Sequence, residues 1–250
     1  MTRFSIVTTL TFVRAPLVLA GCGFALANLA APHPALLAAA VLLMALSALT
    51  DLFDGKLARR WRVASRLGAL ADPLMDKVFW LATLPAATFI ALWCEDAVHA
   101  SILLALDVVS MLRDQWSSFL RSVGSEFGAD VRASFAGKLR TFLAFPIIIL
   151  VHLRLGLQVL SLRNPAFEGV PLAPDALVWS LEGFLILLTL WSGAVYTARF
   201  WPFVRRVSNV PANEPCRPRF LVNRPTARGR GSRRRRRARR SRRGGRSGRA

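Results

Sequence analysis

Cysteine, histidine and acidic residues are scarce in this chain of 250 residues, which contains three, three and 14 of them respectively. The cysteines lie far apart, with no C-x2-C pair and no cluster of histidines beside them: Cys22, Cys94 and Cys216. This spacing argues against a structural zinc site and against a disulfide framework. We interpret Cys22 and Cys94 as small apolar side chains that fill space, and Cys216 as a thiol of the tail.

Apolar residues, by contrast, make up 54% of the chain. This composition is typical of a membrane protein. Six apolar stretches reach the roughly 20 residues that a helix needs to cross about 30 Å of hydrocarbon. We therefore predict an all-α polytopic membrane protein with six transmembrane helices, at residues 6–29, 35–57, 70–94, 99–120, 139–160 and 176–200.

The first stretch has an alternative interpretation as a cleaved signal peptide. A short basic start, an apolar run and the A-x-A-like sequence Ala25-Leu26-Ala27 are compatible with one. However, Arg14 and Pro16 interrupt the apolar run, and five remaining spans would break the pattern of loop charges. The transmembrane interpretation is the one we adopt.

Loop charges predict the orientation in the cell membrane, because positively charged loops stay in the cytoplasm. Lys and Arg concentrate in the loop and flanks between spans two and three and between spans four and five: Lys56, Arg59, Arg60, Arg62, Arg66 and Lys77, then Arg121, Arg132, Lys138 and Arg140. The opposite side carries His33, Glu95-Asp96 and Arg163. Both termini are therefore predicted to be cytoplasmic.

The C-terminal end is a basic tail. Residues 217–250 hold 16 of the 34 Lys and Arg residues and none of the 14 acidic ones, so they account for most of the formal net charge of +20. With almost nothing apolar after Val222, this segment cannot bury enough surface to fold. We predict a membrane domain over 1–205 and a disordered tail over 206–250.

Anionic lipid and nucleic acid are both possible partners of the tail. Lipid attraction amounts to about 1 kcal/mol per basic residue near the surface, whereas RNA would be bound through neutralisation of its phosphates. Lipid is favoured, because the rest of the chain lies in a bilayer and no aromatic residue interrupts the arginine runs after Val222, as a stacking RNA-binding segment would require.

The segment that carries chemistry has the pattern D-x2-D-G-x2-A-R-x8-G-x3-D-x3-D, which we call the signature. Its eight positions are Asp51, Asp54, Gly55, Ala58, Arg59, Gly68, Asp72 and Asp76. On a helix, positions 51, 54, 55 and 58 share one face, and positions 68, 72 and 76 form a stripe. If the two helices are antiparallel neighbours, the four carboxylates meet at the cytoplasmic end of the bundle.

Four aspartates near hydrocarbon would cost roughly several kcal/mol unless something neutralises them. Carboxylate oxygens are preferred ligands of Mg²⁺ and Mn²⁺, and two such ions about 3.5–4 Å apart would bind a pyrophosphate. Gly55, Gly68 and Ala58 leave space for a nucleotide, and the Arg59 guanidinium suits a phosphate. Each residue alone could be a helix cap or a packing position, but eight in this spacing favour a metal-dependent site.

The signature resembles that of the CDP-alcohol phosphotransferase family, membrane enzymes of phospholipid headgroup synthesis. The resemblance implies a six-helix, usually homodimeric enzyme with two Mg²⁺ or Mn²⁺ ions. It further implies the site residues: Asp51, Asp54, Asp72 and Asp76 as metal ligands, Asp76 also as general base, and Gly55, Ala58, Arg59 and Gly68 around the cytidine diphosphate.

Two other segments narrow the resemblance to glycerol-3-phosphate phosphatidyltransferases and cardiolipin synthases. The stretch Ala71–Lys77, ADPLMDK, is similar to their D-P-x-x-D-K variant, and Gly137–Thr141, GKLRT, resembles their G-K-x-K-T segment. Arg113-Asp114 stands where these enzymes have an R-E pair, so the acid here is shorter. The resemblance covers roughly residues 4–160.

A cationic pocket for an acceptor phosphate is predicted from Arg113, Lys138 and Arg140, with Arg14 and Lys77. Lys138 and Arg140 are explained equally well as cytoplasmic flanking charges. Arg113 is better placed for function, because it lies inside an apolar span where an unpaired charge is costly.

The expected reaction is transfer of a phosphatidyl group from CDP-diacylglycerol to an alcohol, with release of CMP. Glycerol 3-phosphate is the favoured acceptor, and phosphatidylglycerol or inositol phosphate are alternatives. Two other classes were weighed: a non-catalytic membrane scaffold with an RNA-binding tail, and a transporter. A scaffold does not need four clustered aspartates, and a transporter would show a pair of broken, repeat-related helices.

Overall fold

The computed structural model describes residues 3–61, 66–132, 134–171 and 173–208. Within the helices, the side chains of residues 3–8, 52, 54–59, 66–73 and 76 lie outside the described set. The tail predicted to be disordered falls almost entirely at 209–250, which is also outside it.

Six long helices account for nearly all of the described residues. They are α1 (Arg3–Ala30), α2 (Pro34–Trp61), α3 (Arg66–Trp93), α4 (Ala97–Glu126), α5 (Phe135–Arg163) and α6 (Asp175–Ser208), with one 3₁₀ turn at Pro165–Phe167. Each predicted span corresponds to one of these helices, and the predicted all-α class is confirmed. Helix α6 continues three residues beyond the predicted domain boundary at 205.

Four of these helices are long and apolar enough to cross a membrane. Their apolar segments are Thr9–Ala30, Pro34–Asp51, Phe135–Arg163 and Asp175–Ser208, in α1, α2, α5 and α6. Helix α3 offers a shorter apolar segment, Lys77–Trp93, within its described part. Helix α4 falls short because Asp107, Arg113 and Asp114 interrupt its apolar sequence. The prediction of six spans is therefore supported for four helices.

Helix α5 is the central helix of the bundle. Most of its apolar segment is buried, whereas most of that of α1, α2 and α6 faces outward. Helix α1 packs against α2, α3 and α5, while α6 packs against α4 and α5. Large apolar side chains are exposed around the outside, among them Leu42, Leu81, Leu112, Phe142 and Leu187. Such a surface is stable in lipid rather than in water.

Polar contacts join the helices at the end of the bundle where α4 and α6 begin and α5 ends. His99 Nε2 lies 2.8 Å from Glu182 Oε1, and both side chains are fully buried between α4 and α6. Arg154 of α5 donates from Nε to the carbonyl oxygen of Ala173 at 3.1 Å and pairs with Asp175. These partners satisfy polar groups that would be costly alone in hydrocarbon.

Candidate active site

The signature lies on two helices, as its spacing predicted. Asp51, Asp54, Gly55, Ala58 and Arg59 fall in the unbroken helix α2, and Gly68, Asp72 and Asp76 fall in α3. Of these eight side chains, that of Asp51 alone belongs to the described part of the chain, and the other seven lie outside it. The convergence of the four carboxylates therefore remains a prediction.

Asp51 forms an ion pair with Arg14 of α1. The Arg14 side chain is 5% exposed and that of Asp51 19% exposed. Ser47, one turn before Asp51, donates a hydrogen bond from Oγ to the backbone carbonyl of Arg14 at 3.2 Å. The close packing of α1 on α2 thus brings one cationic and one acidic residue predicted for the site into direct contact.

Arg14, Asp51 and Asp76 each lie about 15 Å along a helix from one of its ends. The ends in question are the start of α1, the end of α2 and the start of α3. A small cavity of about 10 Å³ opens beside Arg14, with Ser47 and Met75 in its lining. That is about the space of one water molecule.

Arg113, Asp114 and Arg140 form a second group, which we call the arginine cluster. Asp114 Oδ1 accepts hydrogen bonds from Arg113 Nη1 at 2.7 Å and from Arg140 Nη1 at 2.9 Å. Asp114 is 14% exposed, Arg113 12% and Arg140 2%. The shorter acid at position 114 therefore reaches both guanidinium groups.

Helix α6 supplies partners for the arginine cluster that the sequence patterns did not reveal. Thr189 Oγ1 accepts from Arg140 Nε at 3.1 Å, and Ser192 Oγ accepts from Arg113 Nη2. The Arg113 guanidinium lies 5.0 Å from the centre of the Tyr196 ring, a cation–π contact. Tyr196 is the single tyrosine of the chain, and that rarity was the one signal that could have singled it out.

Tyr196 also connects the arginine cluster to the start of α5. Its hydroxyl accepts a hydrogen bond from the backbone N–H of Ser134 at 3.1 Å, and Ser134 caps α5 by accepting from the N–H of Gly137 at 3.2 Å. Lys138 follows in the same turn with an exposed side chain. The segment GKLRT thus begins a helix whose position is fixed against α6.

Two contacts join α3, the helix that carries Asp72 and Asp76, to α4 and to the arginine cluster. Lys77 Nζ donates to Gln115 Oε1 of α4 at 3.0 Å, and the Arg140 guanidinium lies 4.2 Å from the centre of the Trp80 ring. Helix α3 therefore packs beside residues predicted to bind the acceptor phosphate. That the phosphate pocket borders the metal site stays a prediction.

The donor chemistry of the signature fits a hard divalent cation. Four aspartates provide only oxygen ligands, which Mg²⁺ and Mn²⁺ prefer. Asp51, the one described member, is partly accessible and already faces a positive charge. Among the residues whose side chains are described, no three His, Cys, Asp or Glu side chains come together as a metal site, so any ion would need the other three aspartates.

Gly137 offers a direct test of how closely Arg113 is held. A Cβ at this position would lie 3.2 Å from Arg113 Nη2 and 3.3 Å from Tyr196 Cε2. We expect Gly137→Ala to displace the Arg113 guanidinium by a few tenths of an ångström and to raise the KM for the acceptor about tenfold, as measured by steady-state assay over a range of acceptor concentrations.

Gly23→Ala is the matched control for this prediction. Gly23 is also helical, and a Cβ there meets nothing within 4 Å, so only the small gain in helix propensity remains. The same KM in Gly137→Ala as in Gly23→Ala would show that Arg113 tolerates the added methyl or does not contact the acceptor.

Taken together, the fold and these contacts are those of a helical membrane protein with cationic side chains grouped between its helices. The chain matches the family described as CDP-alcohol phosphatidyltransferase over residues 4–200. It belongs to this family, whose members transfer substituted phosphate groups in phospholipid synthesis.

Two curated relatives illustrate the range of acceptors. The chain is 28% identical over 172 residues to a cardiolipin synthase (CMP-forming) of Streptomyces coelicolor, covering 66% of this chain and 69% of that protein. It is 46% identical over 67 residues to a CDP-diacylglycerol–glycerol-3-phosphate 3-phosphatidyltransferase of Escherichia coli K12. This second match covers 21% of the chain and spans only 37% of the relative's length. No solved structure matches the chain.

Proposed function

We propose that this protein transfers the phosphatidyl group of CDP-diacylglycerol to glycerol 3-phosphate, releasing CMP and forming phosphatidylglycerophosphate. The observation that carries the proposal is the packing of α3 beside the arginine cluster, through the contacts of Arg140 with Trp80 and of Lys77 with Gln115 of α4. An acceptor pocket formed by these cationic side chains would lie beside the helix that bears Asp72 and Asp76. Transfer between a nucleotide-lipid donor and an anionic acceptor requires that the two substrates bind next to each other.

In the proposed reaction, a hydroxyl oxygen of the acceptor attacks the phosphorus on the lipid side of the pyrophosphate. A new O–P bond forms as the bond to the CMP oxygen breaks, and the hydroxyl proton passes to the Asp76 carboxylate. Asp51, Asp54, Asp72 and Asp76 would hold two Mg²⁺ or Mn²⁺ ions, which neutralise the pyrophosphate charge when bound. Gly55, Ala58 and Gly68 would give the nucleotide space, and Arg59 would bind a phosphate.

Charge favours glycerol 3-phosphate as the acceptor. Arg113, Arg140 and Lys138 are all cationic, and Asp114 contacts the first two of them. A phosphomonoester dianion is attracted to such a cationic group more strongly than the single negative charge of a phosphodiester such as phosphatidylglycerol. In this arrangement Arg113 and Lys138 contact the phosphate, while the almost fully buried Arg140 supports Asp114.

Phosphatidylglycerol is the second candidate acceptor, which would make the protein a cardiolipin synthase. The match to the Streptomyces coelicolor enzyme favours it, because it covers far more of the chain than the match to the glycerol-3-phosphate enzyme. Both reactions use the same donor and release CMP. Inositol phosphate would fit the same cationic pocket.

The remaining proposals concern the protein's surroundings. We place all six helices across the cell membrane, with both termini in the cytoplasm, and expect a homodimer as in the family. The arginine-rich tail would attract anionic lipid, with nucleic acid as the less favoured partner.

The test is a product assay. The purified full-length protein is incubated with CDP-diacylglycerol, Mg²⁺ or Mn²⁺ and, separately, glycerol 3-phosphate, phosphatidylglycerol and inositol phosphate, and lipid products are read by mass spectrometry. We expect phosphatidylglycerophosphate and CMP, both lost on addition of a chelator and restored by excess metal. Cardiolipin as the sole product would identify phosphatidylglycerol, and not glycerol 3-phosphate, as the acceptor. Metal-independent CMP release would refute the proposed metal site.

A further inference from the structure

The Asp51 carboxylate has two cationic partners, one observed and one proposed. The structure pairs its carboxylate with the Arg14 guanidinium, while the proposed function requires the same carboxylate to bind a divalent cation. Like charges a few ångströms apart at a partly buried site repel strongly. Arg14 and the cation therefore compete for Asp51.

The position of Arg14 is built into the packing of α1 and α2. Its side chain is nearly fully buried, and its backbone carbonyl is bound by Ser47 Oγ on the same helix face as Asp51. Val18, one turn further along α1, is 1% exposed in the core. A guanidinium held in this way cannot retreat into solvent when a cation approaches.

We infer that Arg14 is a built-in counter-charge that weakens the binding of a divalent cation at Asp51, so that firm metal binding requires the anionic nucleotide as well. This inference rests on the proposed metal site and deepens it. A pyrophosphate brings negative charge that satisfies both the cation and Arg14, so metal and nucleotide binding become coupled. Removal of the positive charge at position 14 removes the competition and most of the coupling.

The test measures metal affinity directly, apart from catalysis. Mn²⁺ binding to the purified full-length protein in phosphatidylcholine nanodiscs is followed by the electron paramagnetic resonance signal of free Mn²⁺, with and without CDP. We expect Arg14→Gln to bind Mn²⁺ about tenfold more tightly than the wild type without CDP, equivalent to about 1.4 kcal/mol. Arg14→Lys, which keeps the charge, should remain within about threefold of the wild type.

Two further variants make the result decisive. Asp51→Asn should bind Mn²⁺ at least about tenfold more weakly, because it removes a proposed ligand. Arg14→Met, similar in length and uncharged, repeats the measurement if Arg14→Gln does not elute as a single species in size-exclusion chromatography. CDP should tighten Mn²⁺ binding more in the wild type than in either uncharged variant.

The outcomes separate the inference from the proposed function. Weaker or unchanged Mn²⁺ binding in the uncharged Arg14 variants, together with weaker binding in Asp51→Asn, would overturn the counter-charge and leave the metal site intact. Unchanged binding in Asp51→Asn would refute the metal site itself, and the inference with it.

Discussion

The Asp76→Asn variant is expected to lose turnover by a factor of about 10²–10⁴, the usual contribution of a positioned general base. The amide has nearly the same shape as the carboxylate but cannot take the proton of the acceptor hydroxyl, and it is a poorer ligand for a hard cation. Because Asp76 lies within the uninterrupted helix α3, the substitution should leave the helix formed. Release of CMP from CDP-diacylglycerol is the measurement.

Asp130→Asn serves as the matched control. Asp130 lies in the loop between α4 and α5, where it is exposed and contacts Arg199 at 3.4 Å. We expect activity close to that of the wild type, since exposed ion pairs contribute little. Turnover in Asp76→Asn similar to that in Asp130→Asn, with both proteins eluting as single species, would remove Asp76 from the mechanism.

Helix positions could be predicted because they follow from local sequence. Six apolar stretches gave six helices, and the spacing of the signature placed its members on α2 and α3. Hydrophobicity and helical periodicity act over a few turns, so one sequence suffices to read them. The helices extend beyond the predicted spans because helical structure continues into the polar sequence that flanks each apolar stretch, as in α6, which ends at Ser208.

Contacts between distant helices could not be predicted in this way. Arg113 meets Ser192 and Tyr196, and Arg140 meets Thr189, across separations of about 50 to 80 residues. None of the α6 residues belongs to a recognisable motif. The ion pair of Arg14 with Asp51 could not be predicted for the same reason, because it depends on the packing of α1 on α2. The assignment of Arg14 to an acceptor phosphate stays a prediction.

The charged sequence of α4 is explained by the same long-range contacts. Taken alone, Arg113 and Asp114 make the helix too polar for a simple membrane span. In the bundle, their charges meet each other and Arg140, with hydroxyl partners on α6. Arg113 and Asp114 thus make α4 less apolar and also belong to the candidate acceptor pocket. Charged side chains are costly in hydrocarbon, and where they occur they usually mark a functional site.

The Asp114→Asn variant should both destabilise the protein and impair use of the acceptor. It removes the negative charge that lies 2.7 Å from Arg113 Nη1 and 2.9 Å from Arg140 Nη1, so the partly buried guanidinium of Arg113 and the buried one of Arg140 repel each other. Loss of one partner from a buried ion pair typically costs about 3–5 kcal/mol. With Arg113 no longer oriented, kcat/KM for glycerol 3-phosphate should fall at least about tenfold.

Asp114→Glu is the control that separates charge from shape at this position, because it restores the acid found in the resembling enzymes and keeps the negative charge. One added methylene should be accommodated at a site that is 14% exposed, so unfolding in detergent and acceptor kinetics should both stay near wild type. A stable Asp114→Asn protein with unchanged acceptor kinetics would mean that Asp114 does not govern the two arginines. Loss of activity in both variants would instead mean that the geometry of the shorter acid, and not its charge alone, sets the position of Arg113.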